Sequence, residues 1–319
     1  MAKPKNGPPQ KNGFVNLYKP VGITSMDALR QVKRITGQRN KVGHGGTMDP
    51  LARGVLPVCF GQATRLMDFV VGGRKRYMME ITLGVSTTTY DAEGETIQTR
   101  DATGISMAHI EEALPAFVGA IDQVPPMYSA IKVQGQRLYK LARAGIEIER
   151  EARPVDIFDI RVENYQPPVL TLEVDCGKGA YMRSIAHDLG EVLGCGGHVV
   201  DLVRLSTGRF HADDSITPDQ LEESTNQPGG WEEHLHPIDW VLKDFKSISV
   251  GKQAENLLRN GQSVNLGPQF IEAAYLEEFR VYSTEGRFLA LVRFDRPANS
   301  WRPVKVFQID TPSPLAPGT

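Results

Sequence analysis

The chain has 319 residues, of which 40% are hydrophobic and 23% charged, and its formal net charge is −2. These values are typical of a soluble globular protein with one large domain and a smaller one. No apolar run approaches the roughly 18 residues of a membrane-spanning helix, which excludes that class. The three cysteines, Cys59, Cys176 and Cys195, form no CxxC motif. They argue against a disulfide framework or a cysteine-bound metal and favour a reducing, cytoplasmic environment.

Charge is distributed unevenly along the chain. Residues 211–285 contain 14 acidic and 5 basic side chains, a local charge of −9. Residues 1–210 contain 26 basic and 22 acidic side chains, a local charge of +4. This basic surplus is compatible with a nucleic-acid partner and equally with a solvated surface that has no partner.

The N-terminal third predicts a tail, a strand and a helix. Residues 1–12 are polar and mildly basic and predict a disordered tail. Residues 13–24 predict a short strand and a turn, and Ser25 is placed to cap a helix that runs to about Ile35. Four cations close to the C-terminal end of this predicted helix are candidates for phosphate contacts: Lys33, Arg34, Arg39 and Lys41.

The stretch from Gly43 to Arg65 is the most distinctive part of the chain. It begins with three glycines within four residues, beside His44, and continues to Asp49. Pro50 disfavours helical geometry at Asp49, and glycines allow another molecule to approach the backbone. The pattern favours a carboxylate that meets a large ligand, although an Asp that only caps a turn has the same local sequence.

Tyr77 follows three cations and begins the apolar pattern of a strand at 78–83. It can stack on a nucleobase or face the core as an ordinary strand tyrosine. Helices are predicted over 106–118 and about 137–144. Basic residues in and before the second of these helices alternate with tyrosines, as on a nucleic-acid surface: Lys132, Arg137, Lys140 and Arg143.

The next segments predict two strands, at 155–162 and 170–176, and a helix over 184–193. A glycine-containing loop between them carries Tyr181 and Arg183 to the start of this helix. Arg183 suits a buried carboxylate, because a guanidinium pairs with it in a bidentate manner, or it is a surface arginine at a helix end. A further strand is predicted at 199–205, then helical fragments, and a mostly β module over the last 70 or so residues.

Five motifs in this order resemble those of the TruB family of tRNA pseudouridine-55 synthases: YKPVGITS, GHGGTMDPLARGVLP, KRYMMEITLG, PPMYSAIKVQGQRLYKLARAG and GKGAYMRSIAHDLG. The resemblance covers about residues 13–210. It implies an α+β fold in which helices flank a mixed, mostly antiparallel central sheet, with a small C-terminal β-rich PUA-like module. The implied catalytic domain is 13–246 and the implied RNA-binding module is 247–319, after the tail at 1–12.

The resemblance also implies the roles of individual residues. Asp49 is the implied catalytic aspartate, and Arg183 is implied to pair with it. Because the reaction requires an ionised Asp49, we expect the neighbouring Arg183 to keep its pKa low despite burial. Tyr77 is implied to pack against the target base. Four further residues are implied to bind or support the substrate site: His44, Tyr181, Lys19 and Leu205. The implied reaction converts uridine 55 in the T-loop of tRNA to pseudouridine after base flipping.

The same resemblance implies no cofactor, no metal, no guide RNA and no protein partner, and a cytoplasmic monomer acting on the T-arm stem-loop. Whether Asp49 acts as a nucleophile or as a base stays open. Two other hypotheses are an RNA-binding folding factor with secondary chemistry, and a guide-RNA-dependent synthase that resembles the dyskerin group.

Overall fold

The structure is a computed structural model that describes residues 8–129, 131–133, 135–146, 148–267 and 274–318. The side chains of Lys132, Arg137 and Arg143 lie outside the described part. The central element of the fold is a ten-stranded sheet. The strands of this sheet are β1 (Gly13–Lys19), β2 (Val42–His44), β3 (Arg53–Phe60), β4 (Lys75–Leu83), β7 (Gly119–Gln123), β10 (Arg153–Gln166), β11 (Val169–Cys176), β12 (Gly197–Thr207), β13 (Phe210–His211) and β14 (Leu235–His236).

The strand order of this sheet is β14-β1-β3-β12-β4-β11-β10-β7, with β2 paired to β3 and β13 to β12. Every pair is antiparallel except β3 and β12, which run parallel through Val203 opposite Arg53 and Arg204 opposite Gly54. The prediction of a mixed, mostly antiparallel sheet is therefore confirmed. The parallel pair places β3, which follows the Asp49 loop, beside β12.

Seven helices surround the sheets in the described residues: α1 (Ser25–Thr36), α2 (Met67–Val71), α3 (Met107–Ala113), α4 (Leu138–Arg143), α5 (Met182–Val192), α6 (Pro218–Ser224) and α7 (Lys252–Arg259). Two small hairpins pair β5 (Val85–Thr87) with β6 (Thr96–Thr99) and β8 (Lys132–Val133) with β9 (Gln136–Arg137). Thr24, not Ser25, caps α1, because its side chain accepts a hydrogen bond from the backbone of Asp27. The predicted cap is thus wrong by one residue. No helix in these ranges is both long and apolar enough to cross a membrane.

Two hydrophobic cores lie on opposite faces of β1 and β3. Val15 and Leu17 belong to the larger core, which also contains apolar side chains of α1, α3, α5 and α6. Phe14 and Val55 point to the other face and join a second core with residues of the C-terminal region, such as Phe288. The period of two along a strand explains how neighbouring residues contribute to different cores.

The C-terminal region forms a four-stranded sheet in the order β15 (Lys246–Val250), β16 (Glu278–Ser283), β17 (Phe288–Asp295) and β18 (Ser300–Val306). This confirms the predicted small β-rich module. Lys246 begins β15, so the predicted boundary between 246 and 247 falls inside a strand. The division of the chain into two domains stays a prediction.

Residues 8–12, which were predicted to belong to a disordered tail, contact the folded body. The side chain of Gln38 accepts a hydrogen bond from the backbone of Lys11 (3.1 Å), and that of Asn12 accepts one from the backbone of Gln62 (2.8 Å). The prediction of a disordered tail is therefore wrong for this part. Residues 1–7 lie outside the described residues.

Candidate active site

Four of the predicted site residues, Asp49, Tyr77, Tyr181 and Arg183, line one cavity of about 240 Å³. They come from the loop between β2 and β3, from β4, and from the start of α5. The cavity lies where these elements meet β12. Residues that are distant in sequence are therefore brought together as the motifs predicted, while their chemical roles stay predictions.

The Asp49 loop is fastened to the connection between β1 and α1. The backbone of Gly22 donates to the carbonyl of Pro50 (2.8 Å), and the Ser25 hydroxyl accepts a hydrogen bond from the Met48 backbone (2.7 Å). Buried Lys19 donates from Nζ to the carbonyls of Pro20 (2.8 Å) and Ile23 (2.7 Å) and lies 3.5 Å from that of Pro50. Burial lowers the pKa of Lys19 to about 8, against the opposing effect of Asp49. Lys19 thus lies beside the loop, where its predicted supporting role requires it to be.

The glycines of the loop serve the packing of the protein itself. A Cβ on Gly45 would lie 2.5 Å from Cγ1 of Val70, and Gly46 has a φ of +108°. A side chain is therefore excluded at Gly45 by α2 and is strained at Gly46 by the backbone. The sequence suggested that these glycines give a ligand access to the backbone. Packing at Gly45 and the backbone angle at Gly46 explain these two glycines without a ligand.

Arg183 holds two carboxylates. Its side chain is 3% exposed, and its Nη2 and Nη1 lie 2.9 Å from Oδ2 of Asp49 and 3.2 Å from Oδ2 of Asp91. It also donates to the carbonyls of Thr89 (3.0 Å) and Tyr128 (2.7 Å). Because Arg183 lies in the first turn of α5, where the helix dipole disfavours a cation, the two carboxylates compensate for an unfavourable position. The predicted pairing of Arg183 with Asp49 is present.

The pKa of Asp49 is raised, so the prediction that Arg183 keeps it low is wrong. Burial in the cavity is the largest cause, and it outweighs the attraction of Arg183; the nearby carboxylate of Asp91 raises the pKa further. About a third of the Asp49 side chain is exposed, and this exposed part faces the two cavities that Asp49 lines. Sharing one guanidinium between two acids leaves Asp49 less stabilised than a private ion pair would.

Tyr77 and Tyr181 form walls of the cavity. Tyr77 is 9% exposed, and burial raises the pKa of its hydroxyl, partly opposed by the Arg204 guanidinium. The peptide of Tyr181 is clamped by the Gln123 side chain, which accepts from its N–H (2.7 Å) and donates to its carbonyl (3.0 Å). Burial therefore holds the Tyr77 ring, and the two hydrogen bonds of Gln123 hold the backbone of Tyr181.

His44 lines a second cavity of about 500 Å³ that shares Asp49 and Arg183 with the first. The cavity also contacts Asp91 and Glu93. The Nδ1 atom of His44 is buried without a hydrogen-bond partner in the protein, and burial lowers the pKa of this imidazole. A neutral ring with an unsatisfied nitrogen suits contact with a bound ligand.

Leu205 does not line either cavity, whereas Leu202 and Arg204 line the first. The register of β12 against β4 is irregular at Leu205, because Arg204 lies opposite Tyr77 and the next paired residue, Ser206, lies opposite Arg76. Contact of Leu205 with substrate stays a prediction, and Leu202 is a further candidate that the sequence did not single out.

The five predicted RNA-backbone cations whose side chains the structure describes do not line either cavity. Arg34 forms a bidentate pair with Glu222 of α6 (2.9 and 3.1 Å), so its charge is compensated locally. Arg39, Lys41 and Lys140 are exposed and Lys33 is half-buried. The N-terminal end of α1, at Ser25, borders the second cavity. Lys33 lies about 12 Å further along the helix axis. The side chains of Lys132, Arg137 and Arg143 lie outside the described residues, so their predicted contacts stay predictions.

Three functional candidates were missed by the sequence analysis: Asp91, Arg204 and Lys75. Asp91 stands in a Tyr-Asp-Ala-Glu-Gly turn, whose sequence indicates only a turn. Lys75 donates to the carbonyls of Val71 and Gly73 (both 2.8 Å), and burial lowers its pKa to about 8. Within the described ranges, no three His, Cys, Asp or Glu side chains lie close enough together to hold a metal ion.

Comparison with known sequences gives consistent matches along the chain. The profile "TruB family pseudouridylate synthase (N terminal domain)" matches residues 33–182, and "tRNA pseudouridylate synthase B C-terminal domain" matches residues 183–243. The chain is 42% identical to tRNA pseudouridine synthase B of Clostridium acetobutylicum, over 88% of this chain and 94% of that protein. It is also 42% identical to the protein of the same name from Dehalococcoides mccartyi, over 93% and 96%.

Solved structures support the same fold. A chain of a Cbf5-Nop10-Gar1 complex aligns with a TM-score of 0.69 and 21% identity, over 98% of this chain and 94% of that one. A chain of an H/ACA RNP bound to a substrate RNA containing 2'-deoxyuridine aligns with a TM-score of 0.68 and 19% identity, over 99% and 96%. At these identities the likeness concerns the fold alone. With the sequence matches to relatives over nearly their full length, the chain belongs to the TruB family of pseudouridylate synthases.

Proposed function

We propose that this protein isomerises uridine to pseudouridine at position 55 in the T-loop of tRNA. The observation that carries the proposal is the meeting of Asp49, Arg183 and Tyr77 around one cavity. A carboxylate that must act on a ribose, a cation that orients it and an aromatic wall that retains a free base are the groups that this reaction requires. The names of the relatives, tRNA pseudouridine synthase B, support the choice of tRNA as substrate.

The reaction needs three events at the nucleotide. The N1–C1′ bond breaks, the uracil turns within the cavity, and C5 bonds to C1′ while the proton on C5 leaves and N1 gains one. Atoms and electrons balance without a second substrate. The ionised Asp49 either attacks the ribose as a nucleophile or removes a proton from it, and Arg183 fixes the direction of the carboxylate in both cases.

The target base must leave its stack to reach Asp49, because the carboxylate lies inside the fold. Extrusion of a base costs a few kcal/mol, which contacts with the RNA backbone offset. Exposed Arg39, Lys41 and Lys140 are our candidates for these contacts. The unsatisfied Nδ1 of His44 is a candidate to bind the extruded nucleotide from the second cavity.

The protein is proposed to act as a monomer, without guide RNA or protein partner, in the cytoplasm. A single chain supplies both walls of the cavity, and Cys59, Cys176 and Cys195 are free and buried, as suits a reducing compartment.

The test is the purified full-length chain with an unmodified T-arm stem-loop transcript and no additive. We expect pseudouridine at position 55 and none in a matched transcript with cytidine at that position. Activity that appears only after a guide RNA or a cell extract is added would contradict independent action. Tight binding of the transcript without any pseudouridine would instead favour an RNA-folding factor.

A further inference from the structure

Arg204 occupies the floor of the first cavity. It lies near the end of β12, directly opposite Tyr77 of β4 in the sheet register and opposite Gly54 of β3. Its side chain lines the cavity although only 1% of the residue is exposed. A charged group at this depth requires partners.

The hydrogen-bond partners of Arg204 are two backbone carbonyls and the side chain of Tyr77, and these partners leave its charge unneutralised. Nε donates to the carbonyl of Val55 (2.6 Å), and Nη2 donates to the carbonyl of Gly46 (3.3 Å). Asp49, the carboxylate of the same cavity, pairs with Arg183 instead. Across the described part of the chain, no ion pair joins Arg204 to an acid. A buried cation of this kind is stabilised when an anion enters the cavity.

The first cavity is lined mainly by cations and the second mainly by carboxylates. The first cavity is lined by four cations, Lys75, Lys178, Arg183 and Arg204, and by one carboxylate. The second is lined by three carboxylates, and its lining includes only one Arg or Lys among the residues described. Negative charge that forms during a reaction is therefore favoured on the Tyr77 side of Asp49.

The proposed isomerisation forms such a charge. When the N1–C1′ bond breaks, its electron pair stays on the uracil and is delocalised over the ring nitrogens and oxygens. The charge disappears when C5 bonds to C1′. We propose that the Arg204 guanidinium is the counter-charge for this transient uracil anion, an inference that rests on the proposed function.

A backbone phosphate is the other anion that a tRNA offers, but it suits a different cation. Lys178 lines the first cavity and is exposed, so a phosphate outside the cavity can contact it. Arg204 lies opposite Tyr77 in the sheet and is only 1% exposed, so it suits a group that enters the cavity better than a phosphate that stays outside. Loss of a phosphate contact weakens RNA binding, whereas loss of a counter-charge for the detached base slows the chemical step.

The experiment compares single-turnover rates of bond cleavage on two T-arm stem-loops, one with uridine and one with 5-fluorouridine at position 55. Fluorine withdraws electrons and stabilises the uracil anion, so this substrate depends less on an external cation. Arg204→Gln removes the charge but keeps an N–H donor for the carbonyls, Arg204→Met is a second neutral variant, and Arg204→Lys keeps the charge. Arg53→Gln is the matched control, since Arg53 lies beside β12 and pairs with Asp201 outside the cavity.

We expect the single-turnover cleavage rate of Arg204→Gln on uridine to fall by about 10²-fold, as for removal of one preorganised donor to a developing anion. On 5-fluorouridine the fall in this rate should be smaller by at least several-fold. Arg204→Lys should retain more activity than either neutral variant, and RNA affinity should stay within about twofold of the wild type. Arg53→Gln should match the wild type on both substrates.

Equal losses on the two substrates would overturn the inference, because they would indicate only a structural role for Arg204. A weakened RNA affinity that accounts for the loss would overturn it in favour of phosphate binding. If neither neutral variant folds, the Arg204→Lys variant tests the inference. A single-turnover cleavage rate below a hundredth of the wild-type rate in this variant would contradict a role that needs only the charge. A wild-type chain that is inactive on both substrates would refute the proposed function instead.

Discussion

At the scale of single residues, the position of Asp49 controls how the site responds to pH. Its pKa is raised above the usual value of 3.8, chiefly by burial. Both possible roles of Asp49 need the ionised form, so activity is present above the raised pKa and is lost as the pH falls through it. We expect the acid limb of the single-turnover pH profile to lie above 3.8. A rate that stays constant down to that pH would contradict the raised pKa.

Arg183 is the residue on which the geometry of the carboxylates depends. Arg183→Lys replaces a planar fork by a point charge, which cannot contact Asp49, Asp91 and two carbonyls together. We expect turnover to fall by about 10²-fold, as misplacement of a reacting group does, and the acid limb to move to higher pH as Asp49 loses its hydrogen bond from the guanidinium. Arg293→Lys, at a pair with Glu278 in the C-terminal sheet, is the control and should leave the profile unchanged. An unshifted acid limb in Arg183→Lys would argue against the pairing.

Site residues in distinctive local motifs could be predicted from the sequence, whereas those defined by contacts between distant segments could not. Asp49, Tyr77 and Arg183 stand in motifs whose local sequence is distinctive, and they meet as the resemblance implied. Asp91 and Arg204 depend on contacts between strands far apart in the chain, which local pattern does not reveal. The direction of the Asp49 pKa was mispredicted because sequence shows a possible partner but neither the depth of burial nor the second carboxylate.

At the scale of elements, the Asp49 loop is fixed by its fit against α2. Gly45→Ala would place a Cβ 2.5 Å from Cγ1 of Val70, an overlap that one of them must relieve by moving. We expect a loss of about 1–3 kcal/mol in the free energy of unfolding and slower turnover. Urea denaturation and single-turnover rates measure the two effects.

Two further variants distinguish this overlap from a general sensitivity of the loop. Gly43→Ala meets its nearest neighbour, Sγ of Cys59, at an ordinary 3.5 Å and should be nearly neutral. Val70→Ala should restore part of the stability that Gly45→Ala loses, because it removes the opposing methyl groups. Additive losses in the double variant would show that Val70 is not the cause.

Strand β12 illustrates how far element-level prediction reaches. Its existence was predicted, because an apolar run of this kind is typical of a strand. Its partners were not, and only the parallel pairing with β3 and the antiparallel pairing with β4 determine that Leu202 and Arg204 face the cavity. A period of two specifies alternation but leaves open which set is inside, and it does not reveal the irregular register of β12 at Leu205.

At the scale of the whole molecule, a buried polar cluster links the C-terminal sheet to the segment before it. Asp239 is fully buried and accepts hydrogen bonds from the hydroxyls of Tyr282 and Ser313. Tyr282→Phe leaves one carboxylate oxygen short of a donor, so we expect the free energy of unfolding to fall by about 1–3 kcal/mol. Turnover of a minimal stem-loop should not change, because the cluster is remote from both cavities.

Tyr275→Phe is the control for this prediction, since Tyr275 is 58% exposed in the same region. Equal stability of the Tyr282→Phe and Tyr275→Phe variants in urea would contradict a stabilising role for the cluster. A loss of turnover in Tyr282→Phe would indicate that the C-terminal module affects the active site.

The global arrangement was predictable in kind but not in its contacts. A mixed sheet followed by a small β-rich module was inferred from strand patterns and the resemblance, and both are present. The core that joins the module to β1 and β3 was not foreseen, because Phe14 and Phe288 have no local feature that relates them. The hydrogen bonds of Lys11 and Asn12 were missed for the same reason, since polar composition predicts disorder whether or not a partner exists.

The measurement that tests the role of Asp49 most directly is the single-turnover rate of Asp49→Asn on the unmodified T-arm stem-loop, beside its RNA affinity. Asparagine keeps the size of the side chain and removes the charge that either chemical role requires. We expect no measurable pseudouridine with an RNA affinity close to that of the wild type. Turnover in Asp49→Asn at a substantial fraction of the wild-type rate would contradict the central role of this carboxylate.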